Sequence, residues 1–448
     1  MTAAFSLEIL CRQEVCRRLG DFVCGRLPLG DIVRGPNYRI PVCRMRKIDL
    51  FNFQVATSET ARDINRRIVL NLIRSHQPIS RADLARHSGL QRSTVSVITE
   101  QLIQENWVKE GASGHVPRGR RPTFLHLNKE RVRIIGINVR PVTTTLVLAD
   151  VEAHFAAQES FPTPRKPEQF ITEVSGRVRR LVKAHPEITY EGIGVSLPGR
   201  VDLATQRLLF APNLGWIDFD LKASLERATG LPVELENAAN ACALAELWFG
   251  RHARGVNNLV AVTISEGIGA GLILNHQLVQ GSTGLAGEFG HATIIEDGLE
   301  CSCGNRGCWE VYASNLAAVR YYTQSTSAAR TSKAISKRSN HTPTFDDVLR
   351  LAEQGNPRAV EAIQKMGHYL GVGIAMLVTG LAPDVIVVVG EVTRMWKYIE
   401  PIIASTAEKR LSNRHTTRIL PSDPGGQPRL VGTIALVLQR HFGAPAVA

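Results

Sequence analysis

Residues 301–310 read CSCGNRGCWE, and His291 precedes them by ten residues. One imidazole and three thiolates, from Cys301, Cys303 and Cys308, suit a closed tetrahedral Zn²⁺ site. The intervening glycines let the backbone fold around one ion, and clustered cysteines in a reducing compartment indicate a metal more often than a disulfide. Four protein ligands leave no coordination position open for water. The segment therefore predicts a structural zinc; the alternative is three reduced cysteines in a turn.

The sequence around this segment alternates between strand-like and helical patterns. Residues 133–139, 143–150 and 259–264 are apolar runs typical of buried strands, and residues 167–184 have a helical pattern. Such alternation predicts an α/β body with mixed sheets. Residues 323–344 are rich in Ser, Thr, Ala and Lys and predict a flexible loop.

The region before this body has a different organisation. A first helix is predicted to place four apolar side chains on one face: Ile64, Ile68, Leu72 and Ile73. Ser80 caps a second helix, Gly89 makes a turn, and a third helix covers residues 91–105. Strand-like residues 107–110 and 123–127 follow and predict a wing. This order is typical of a winged helix-turn-helix, in which the last helix enters the major groove of DNA.

The charge distribution supports a nucleic-acid partner for this region. Residues 1–133 hold 23 Lys and Arg against 12 Asp and Glu, whereas residues 134–448 hold 30 against 29. A basic segment on a nearly neutral body indicates a module that binds a polyanion, the alternative being a solvated basic surface. We expect double-stranded operator DNA to contact the third helix and the wing. The predicted DNA-binding residues are Arg81, Gln91, Arg92, Ser93, Thr94, Ser96, Arg118, Arg120 and Arg121.

The termini and the hydropathy pattern add expectations about location and boundaries. No apolar run reaches the roughly 18 residues of a membrane span, and the first residues lack a secretory pattern, which predicts a cytoplasmic protein without a membrane partner. We expect a poorly structured extension over residues 1–58, the DNA-binding domain over 59–130 and the body over 131–448. Our hypothesis is that residues 1–44 are a dispensable extension ahead of a start at Met45.

Together these motifs resemble the ROK family, whose members are repressors, open reading frames and sugar kinases. The segments that carry the resemblance are APNLGW at 211–216, ENAAN at 236–240, GSTGLAGEFGH at 281–291 and the zinc segment. The resemblance covers about residues 62–440. It implies an actin-like ATPase fold, with two α/β lobes beside a cleft, preceded by the winged helix. It also implies five sugar-binding residues: Asn213, Asn237, Glu288, His291 and Glu310.

Four departures separate this chain from the kinase members of that family. Their general base is the Asp of Asn-Asp-Ala-Asn, which is Ala238 here, and a phosphoryl transfer needs such a base. Their first phosphate loop, Asp-x-Gly-Gly-Thr, is replaced by residues 138–143 (NVRPVT), in which proline removes a backbone donor. Glu266 and Glu391 stand where two further glycine-rich loops approach the nucleotide. We infer that ATP binding and phosphoryl transfer are absent, and we expect no catalytic residue.

The resemblance and the departures predict a sugar-responsive transcriptional regulator, a repressor of carbohydrate-metabolism genes. Its effector would be a monosaccharide or a sugar phosphate, and it would bind operator DNA as a homodimer or tetramer. Two alternatives stay open: an ATP-dependent sugar kinase with an accessory DNA-binding head, and a zinc-stabilised scaffold that binds protein partners. Ala238 is the feature that discriminates against the kinase.

Overall fold

The computed structural model describes seven stretches of the chain: residues 57–113, 122–202, 204–252, 255–327, 343–411, 416–423 and 425–443. Apart from its last two residues, the extension predicted for residues 1–58 lies outside them. The wing tip with Arg118, Arg120 and Arg121 also lies outside the described residues. Within the described ranges, no helix combines the length and apolar character that a membrane crossing requires.

The first domain is a three-helix unit with a small sheet. Its elements are α1 (Ser58–His76), β1 (Ile79–Ser80), α2 (Arg81–Ser88), α3 (Arg92–Gln104), β2 (Val108–Ser113) and β3 (Thr123–Leu127), and its antiparallel strands have the order β1-β3-β2. The Ser80 side chain accepts a hydrogen bond from Asp83 N, which caps α2, and Gly89 ends that helix with φ 72°. Both roles follow from the residue types, since a hydroxyl satisfies a free N–H and glycine tolerates positive φ.

The buried face of α1 differs from the predicted one. Ile73 is buried as expected, but Ile68 is 40% exposed, and Val69 and Leu70 are buried instead. Because α1 packs on the last helix of the body as well as on its own domain, its apolar stripe is rotated toward that second partner. The prediction for Ile68 was therefore wrong.

Two five-stranded mixed sheets form the body. The first has the order β11-β7-β4-β5-β6 and the second β14-β13-β12-β15-β16. The strands of the first are β4 (Val132–Val139), β5 (Thr143–Ala149), β6 (Phe155–Pro162), β7 (Thr189–Leu197) and β11 (Val233–Asn237). Those of the second are β12 (Leu259–Ile264), β13 (Ile268–Leu274), β14 (Gln277–Leu278), β15 (Val385–Val389) and β16 (Arg418–Pro421). A small antiparallel sheet consists of β8 (Arg200–Val201), β9 (Leu208–Ala211) and β10 (Trp216–Phe219).

Nine α-helices are described in the body. They are α4 (Pro167–Ala184), α5 (Leu221–Thr229), α6 (Ala238–Phe249), α7 (Glu310–Ala313), α8 (Asn315–Ser327), α9 (Phe345–Glu353), α10 (Pro357–Leu381), α11 (Trp396–Glu408) and α12 (Pro428–Phe442). The loop predicted from residue 323 begins inside α8, which continues to Ser327. Residues 328–342 of that predicted loop lie outside the described residues.

Helices α6 and α12 pack against each other and connect the two sheets. A Cβ at Gly194 of β7 would lie 2.0 Å from Thr433 O of α12, and a Cβ at Gly271 of β13 would lie 2.3 Å from Ala239 O of α6. Glycine is therefore required at both positions for the helix backbones to approach the sheets this closely. The first five-stranded sheet with the small sheet, α4 and α5 is called lobe 1 below, and the second five-stranded sheet with α7 to α11 is called lobe 2.

Candidate functional site

The four predicted metal ligands form one cluster in lobe 2. His291 Nδ1 lies 3.6 Å from Cys301 Sγ, and Cys303 Sγ lies 3.7 Å from Cys308 Sγ. All four ligand atoms lie within 4.8 Å of one another. Tetrahedral zinc, with bonds of about 2.3 Å to sulfur and 2.0–2.1 Å to nitrogen, separates two sulfurs by about 3.8 Å and a sulfur from a nitrogen by about 3.6 Å. The donor set and these separations fit a metal ion of that size.

Backbone hydrogen bonds shape the loop that carries the cysteines. Cys301 N donates to Asn305 O at 2.8 Å, and Gly307 N donates to Leu299 O at 2.8 Å. Gly307 has φ 72°, and a Cβ there would lie 1.7 Å from Ile295 O. Only glycine can therefore bring the chain back so that the last cysteine faces the first two.

The end of the ligand loop also positions Glu310, a predicted sugar-binding residue. Trp309 is fully buried and its Nε1 donates to Tyr369 O at 2.8 Å. The next residue, Glu310, accepts a hydrogen bond from Ile268 N at 2.9 Å. Burial raises the pKa of Glu310, and this hydrogen bond and the nearby His291 offset the effect only in part. Glu310 is thus fixed by its neighbours rather than free at the surface.

His291 joins the cysteine cluster to residues 281–291, which are called the sugar segment below because the family resemblance implies that they contact a sugar. Its Nδ1 faces Cys301, while its Nε2 lies 3.8 Å from Glu288 Oε2. A metal on Nδ1 would leave the proton on Nε2, directed toward a carboxylate or a ligand hydroxyl. His291, Glu288 and Glu310 therefore form one polar group beside the predicted metal site.

Asn237 occupies the junction between β11 and α6 in lobe 1. Its Oδ1 accepts from Asn240 N at 2.8 Å and so caps α6. The first residue of that helix is the half-buried Ala238, whose methyl group offers no acceptor for a proton.

Asn213 lies in the exposed turn between β9 and β10, and in the described part of the chain no hydrogen bond joins it to the other four predicted residues.

Sequence reasoning missed Glu236, which precedes Asn237 and is 6% exposed. Its carboxylate accepts from Asn237 N at 2.8 Å, Asn240 Nδ2 at 3.0 Å and Gln280 Nε2 at 2.7 Å. Burial raises the pKa of Glu236, although these hydrogen bonds lower it in part. Because Gln280 directly precedes the sugar segment of lobe 2, Glu236 connects that segment to Asn237. The strand holds two carboxylates at alternate positions, Glu234 and Glu236, and the sequence does not mark which of them is buried.

The predicted DNA-binding residues of α3 lie at its exposed start. Gln91, Arg92, Ser93 and Ser96 are exposed, and Thr94 is half-buried. Val97, which the sequence analysis did not select, is 60% exposed on the same helix. An exposed apolar residue there could contact a thymine methyl group.

Arg81 has a different environment from these residues. Its Nε donates to Thr99 Oγ1 at 3.1 Å, and its Nη1 forms an ion pair with Glu110 Oε1 at 2.7 Å. The side chain therefore ties α2 to α3 and β2 within the domain.

Comparison with known proteins shows which family the chain belongs to. A model described as the ROK family matches residues 134–440, which is more than half of the chain. The chain belongs to the ROK family. A second model, described as winged helix-turn-helix DNA-binding, matches residues 62–109. Together the matches confirm the predicted fold class, a winged helix-turn-helix followed by a sugar-kinase-like body.

Individual ROK proteins resemble the chain to different extents. The xylose repressor of Bacillus spizizenii is 32% identical over 397 residues, covering 87% of this chain and 98% of that protein. The glucokinase of Streptomyces coelicolor is 34% identical over 260 residues, but this covers only 57% of the chain and 81% of that protein. A solved ROK family transcriptional regulator, described as a homologue of the E. coli MLC protein, matches with TM-score 0.75 and 26% identity over 85% of this chain and 98% of that one.

In this ROK protein the winged helix contacts the body through α1. Arg74 Nη1 donates to Trp248 O at 3.3 Å, and its guanidinium lies 4.8 Å from the centre of that indole. Asn71 Nδ2 donates to Phe442 O at 2.8 Å, at the end of α12. Trp248 is near the end of α6, the helix that begins beside Asn237. These contacts, which the sequence did not indicate, connect the DNA-binding domain to the two helices between the sheets.

Proposed function

We propose that this protein is a sugar-responsive DNA-binding transcriptional regulator, a repressor of carbohydrate-metabolism genes. The observation that carries the proposal is the union of a winged helix and a sugar-kinase-like body in one chain. The likeness to the xylose repressor spans both parts and nearly the whole of that protein. The likeness to the glucokinase covers just over half of this chain.

We propose that the effector is a monosaccharide, xylose being the first candidate, or a sugar phosphate. Asn237, Glu288, His291 and Glu310 would hydrogen-bond its hydroxyls, because carboxylates and amides hold vicinal hydroxyls in fixed directions. A zinc ion on His291 and the three cysteines would be structural, since four protein ligands close its coordination sphere. Its contribution would be to hold His291 and Glu310 in place.

We infer that the body does not transfer phosphoryl groups. The position of the family's catalytic base is Ala238, a residue that cannot take the proton from an attacking hydroxyl. The segment after β4 contains Pro141, which has no N–H to offer a phosphate. Both features support a body that binds a sugar without reacting with it.

The contacts between domains suggest how a sugar signal would reach DNA. Helix α6 has 12 residues, a length of about 18 Å, and runs from the Asn237 cap to the Trp248–Arg74 contact. A sugar that closes the lobes on Asn237 would shift α6 and the paired α12 against α1. The sugar acts in this way only through unequal affinity for the open and closed forms. In a symmetric dimer the same shift would change the spacing of two DNA-binding heads.

The decisive experiment selects genomic DNA fragments on the purified full-length protein and elutes them with xylose, glucose, N-acetylglucosamine and their phosphates. We expect specific fragments that one sugar releases. Arg92→Ala should abolish specific retention, whereas Arg358→Ala, at an arginine of the body that is also exposed, should not. Retention of non-specific DNA alone, together with ATP-dependent phosphorylation of a sugar, would instead establish the kinase alternative.

A further inference from the structure

Three charged residues from the two lobes meet at the ends of their strands. Arg140 directly follows β4 of lobe 1, while Glu266 lies in the turn between β12 and β13, and Glu391 follows β15, both in lobe 2. Arg140 Nη2 lies 3.4 Å from Glu266 Oε1, and Arg140 Nη1 lies 3.5 Å from Glu391 Oε1. A single guanidinium thus uses both of its terminal nitrogens on carboxylates of the opposite lobe.

The backbone holds Arg140 in position on lobe 1. Its N donates to Thr143 O at 3.3 Å, and its carbonyl oxygen accepts from Thr163 Oγ1 at 2.6 Å. These bonds close the turn between β4 and β5 and tie it to the end of β6. The arginine therefore projects from a fixed turn rather than from a loose loop.

The two carboxylates are arranged by lobe 2 alone. Glu391 Oε2 accepts from Asn315 Nδ2 at 3.4 Å, and Asn315 N donates to Ser265 O at 2.8 Å, beside Glu266. Gly390 has φ 142°, and a Cβ there would lie 2.2 Å from Ile264 O, so glycine lets the two acidic turns approach each other. Lobe 2 thus presents a pair of negative charges that the guanidinium of Arg140 compensates.

The surroundings of Glu266 favour its charged form. Burial acts to raise its pKa, but a hydrogen bond from its own backbone and the positive charges of Arg140 and Arg429 outweigh this effect, so that the pKa lies below its usual value. The carboxylate is therefore ionised at neutral pH and attracts the guanidinium.

We propose that Arg140, Glu266 and Glu391 form an ionic clasp that draws the two lobes together across the cleft. The side chains are 37%, 47% and 42% exposed, so the clasp is open to solvent and salt. Exposed ion pairs are individually weak, and salt screens them. Such a clasp shifts the balance between open and closed lobes without locking it, and it needs no bound ligand to do so.

The experiment measures the distance between the lobes in the full-length, ligand-free protein. Two dyes are attached through unnatural amino acids at exposed Thr172 on α4 and exposed Glu400 on α11, and single-molecule energy transfer reports the open and closed populations. In wild type the open population should grow between ionic strengths of about 0.01 M and about 1 M, because the Debye length falls from about 30 Å to about 3 Å. Arg140→Ala should raise the open-to-closed ratio about two- to thirtyfold at low salt, the range expected for two exposed pairs, and should remove most of the salt response.

Two further variants separate the clasp from general effects of charge. The double variant Glu266→Gln, Glu391→Gln should reproduce Arg140→Ala from the opposite lobe. Arg207→Ala is the matched control, because Arg207 is 38% exposed and pairs with Asp218 inside lobe 1 at 3.0 Å; it should leave the distance and its salt response as in wild type. The proposal is overturned if Arg140→Ala and the double variant both keep the wild-type populations, or if Arg207→Ala opens the lobes equally.

Discussion

Two groups of polar side chains, one at the proposed sugar site and one at the clasp, are held in place by different interactions. At the site that we propose for the sugar, called the sugar end below, His291 faces Cys301, Glu310 accepts a hydrogen bond from Ile268 N, and Glu236 is buried with three hydrogen-bond donors on it. At the clasp end, Arg140 and its two carboxylates are each more than a third exposed and interact mainly through charge.

This difference indicates which group of side chains selects a ligand and which adjusts the equilibrium between open and closed lobes. Donors and acceptors that neighbouring groups hold in place discriminate between ligands, since each unpaired group costs free energy when the ligand does not match. Exposed charges discriminate poorly but respond to salt and to small movements. A division of this kind suits a protein that senses a sugar and must also move.

Loss of the metal site should have the largest effect on the sugar end. Cys308→Ser should abolish binding of the zinc ion that we propose for this cluster and should disorder the ligand loop, because metal affinity in such sites is coupled directly to folding. We expect a loss of several kcal/mol in the free energy of unfolding and loss of sugar binding. Metal content by mass spectrometry and thermal unfolding would measure both.

Cys242→Ala provides the control for this variant. Cys242 is fully buried in α6 and lies outside the cluster. Its loss should lower stability through packing but leave the metal content at one equivalent. If wild-type protein purified without zinc binds sugar fully, the metal is not needed to hold the sugar-binding residues in place.

The next effect concerns Glu310 alone. Glu310→Gln should weaken binding of the effector sugar by about 1.5–3 kcal/mol, the usual contribution of a hydrogen bond to a charged group. The affinity for DNA in the absence of sugar should stay unchanged. Glu300→Gln on the same ligand loop is the control, because that side chain is 81% exposed and pairs with Arg306. Calorimetric titration would measure the affinity, and equal losses in both variants would refute a direct sugar contact by Glu310.

A smaller effect tests whether the sugar end is the one that communicates with DNA. Arg74→Ala removes the hydrogen bond and the cation–π contact with Trp248. Since contacts of this kind are worth roughly 0.5–2 kcal/mol, we expect sugar and DNA each to bind, but the release of DNA by sugar to weaken by about that amount. Operator affinity measured with and without saturating sugar gives this coupling. An unchanged coupling would place the route to DNA elsewhere than the α6–α1 contact.

Much of the fold could be predicted because the sequence marks its own boundaries. Pro167 starts α4 and residue 184 ends it, as expected from the pattern, and Ser80 and Gly89 bound α2. These residues act locally, through a fixed φ, a capping oxygen or a positive φ. The four cysteine and histidine ligands were equally local, since they lie within eighteen residues of one another.

The interactions that sequence reasoning missed all depend on distant partners. Ile68 is exposed because α1 also packs on α12, at the far end of the chain. Glu266 and Glu391 were each interpreted as a lost phosphate contact, and only the fold shows that both pair with Arg140. The period of hydrophobic residues and the spacing of motifs carry no information about contacts between residues that are far apart in the sequence.

The smallest predicted effect contrasts one carboxylate from each end. Burial raises the pKa of Glu236 above the usual value of 4.5 for a glutamate. The folded protein then binds a proton more tightly than the unfolded chain, so the free energy of unfolding falls as pH rises from about 4.5 through the raised pKa. Glu236→Gln should lack this fall, because Gln280 can turn its amide over to pair with the new side chain. The stability of Glu236→Gln relative to wild type should therefore increase as the pH rises toward neutrality.

For Glu266 the sign is reversed. Its pKa is lowered, so its contribution to stability is present above about pH 4.5 and is lost as pH falls through the folded pKa. Glu266→Gln should be less stable than wild type at neutral pH, by less than about 1 kcal/mol for an exposed pair, and equal to it in acid. Denaturant unfolding of wild type and both variants between about pH 2 and pH 8 gives the difference in free energy of unfolding between wild type and each variant, and the two slopes are those of this difference against pH. Slopes of the same sign would mean that the two ends share one electrostatic environment, against the division between a fixed sugar end and a screened clasp.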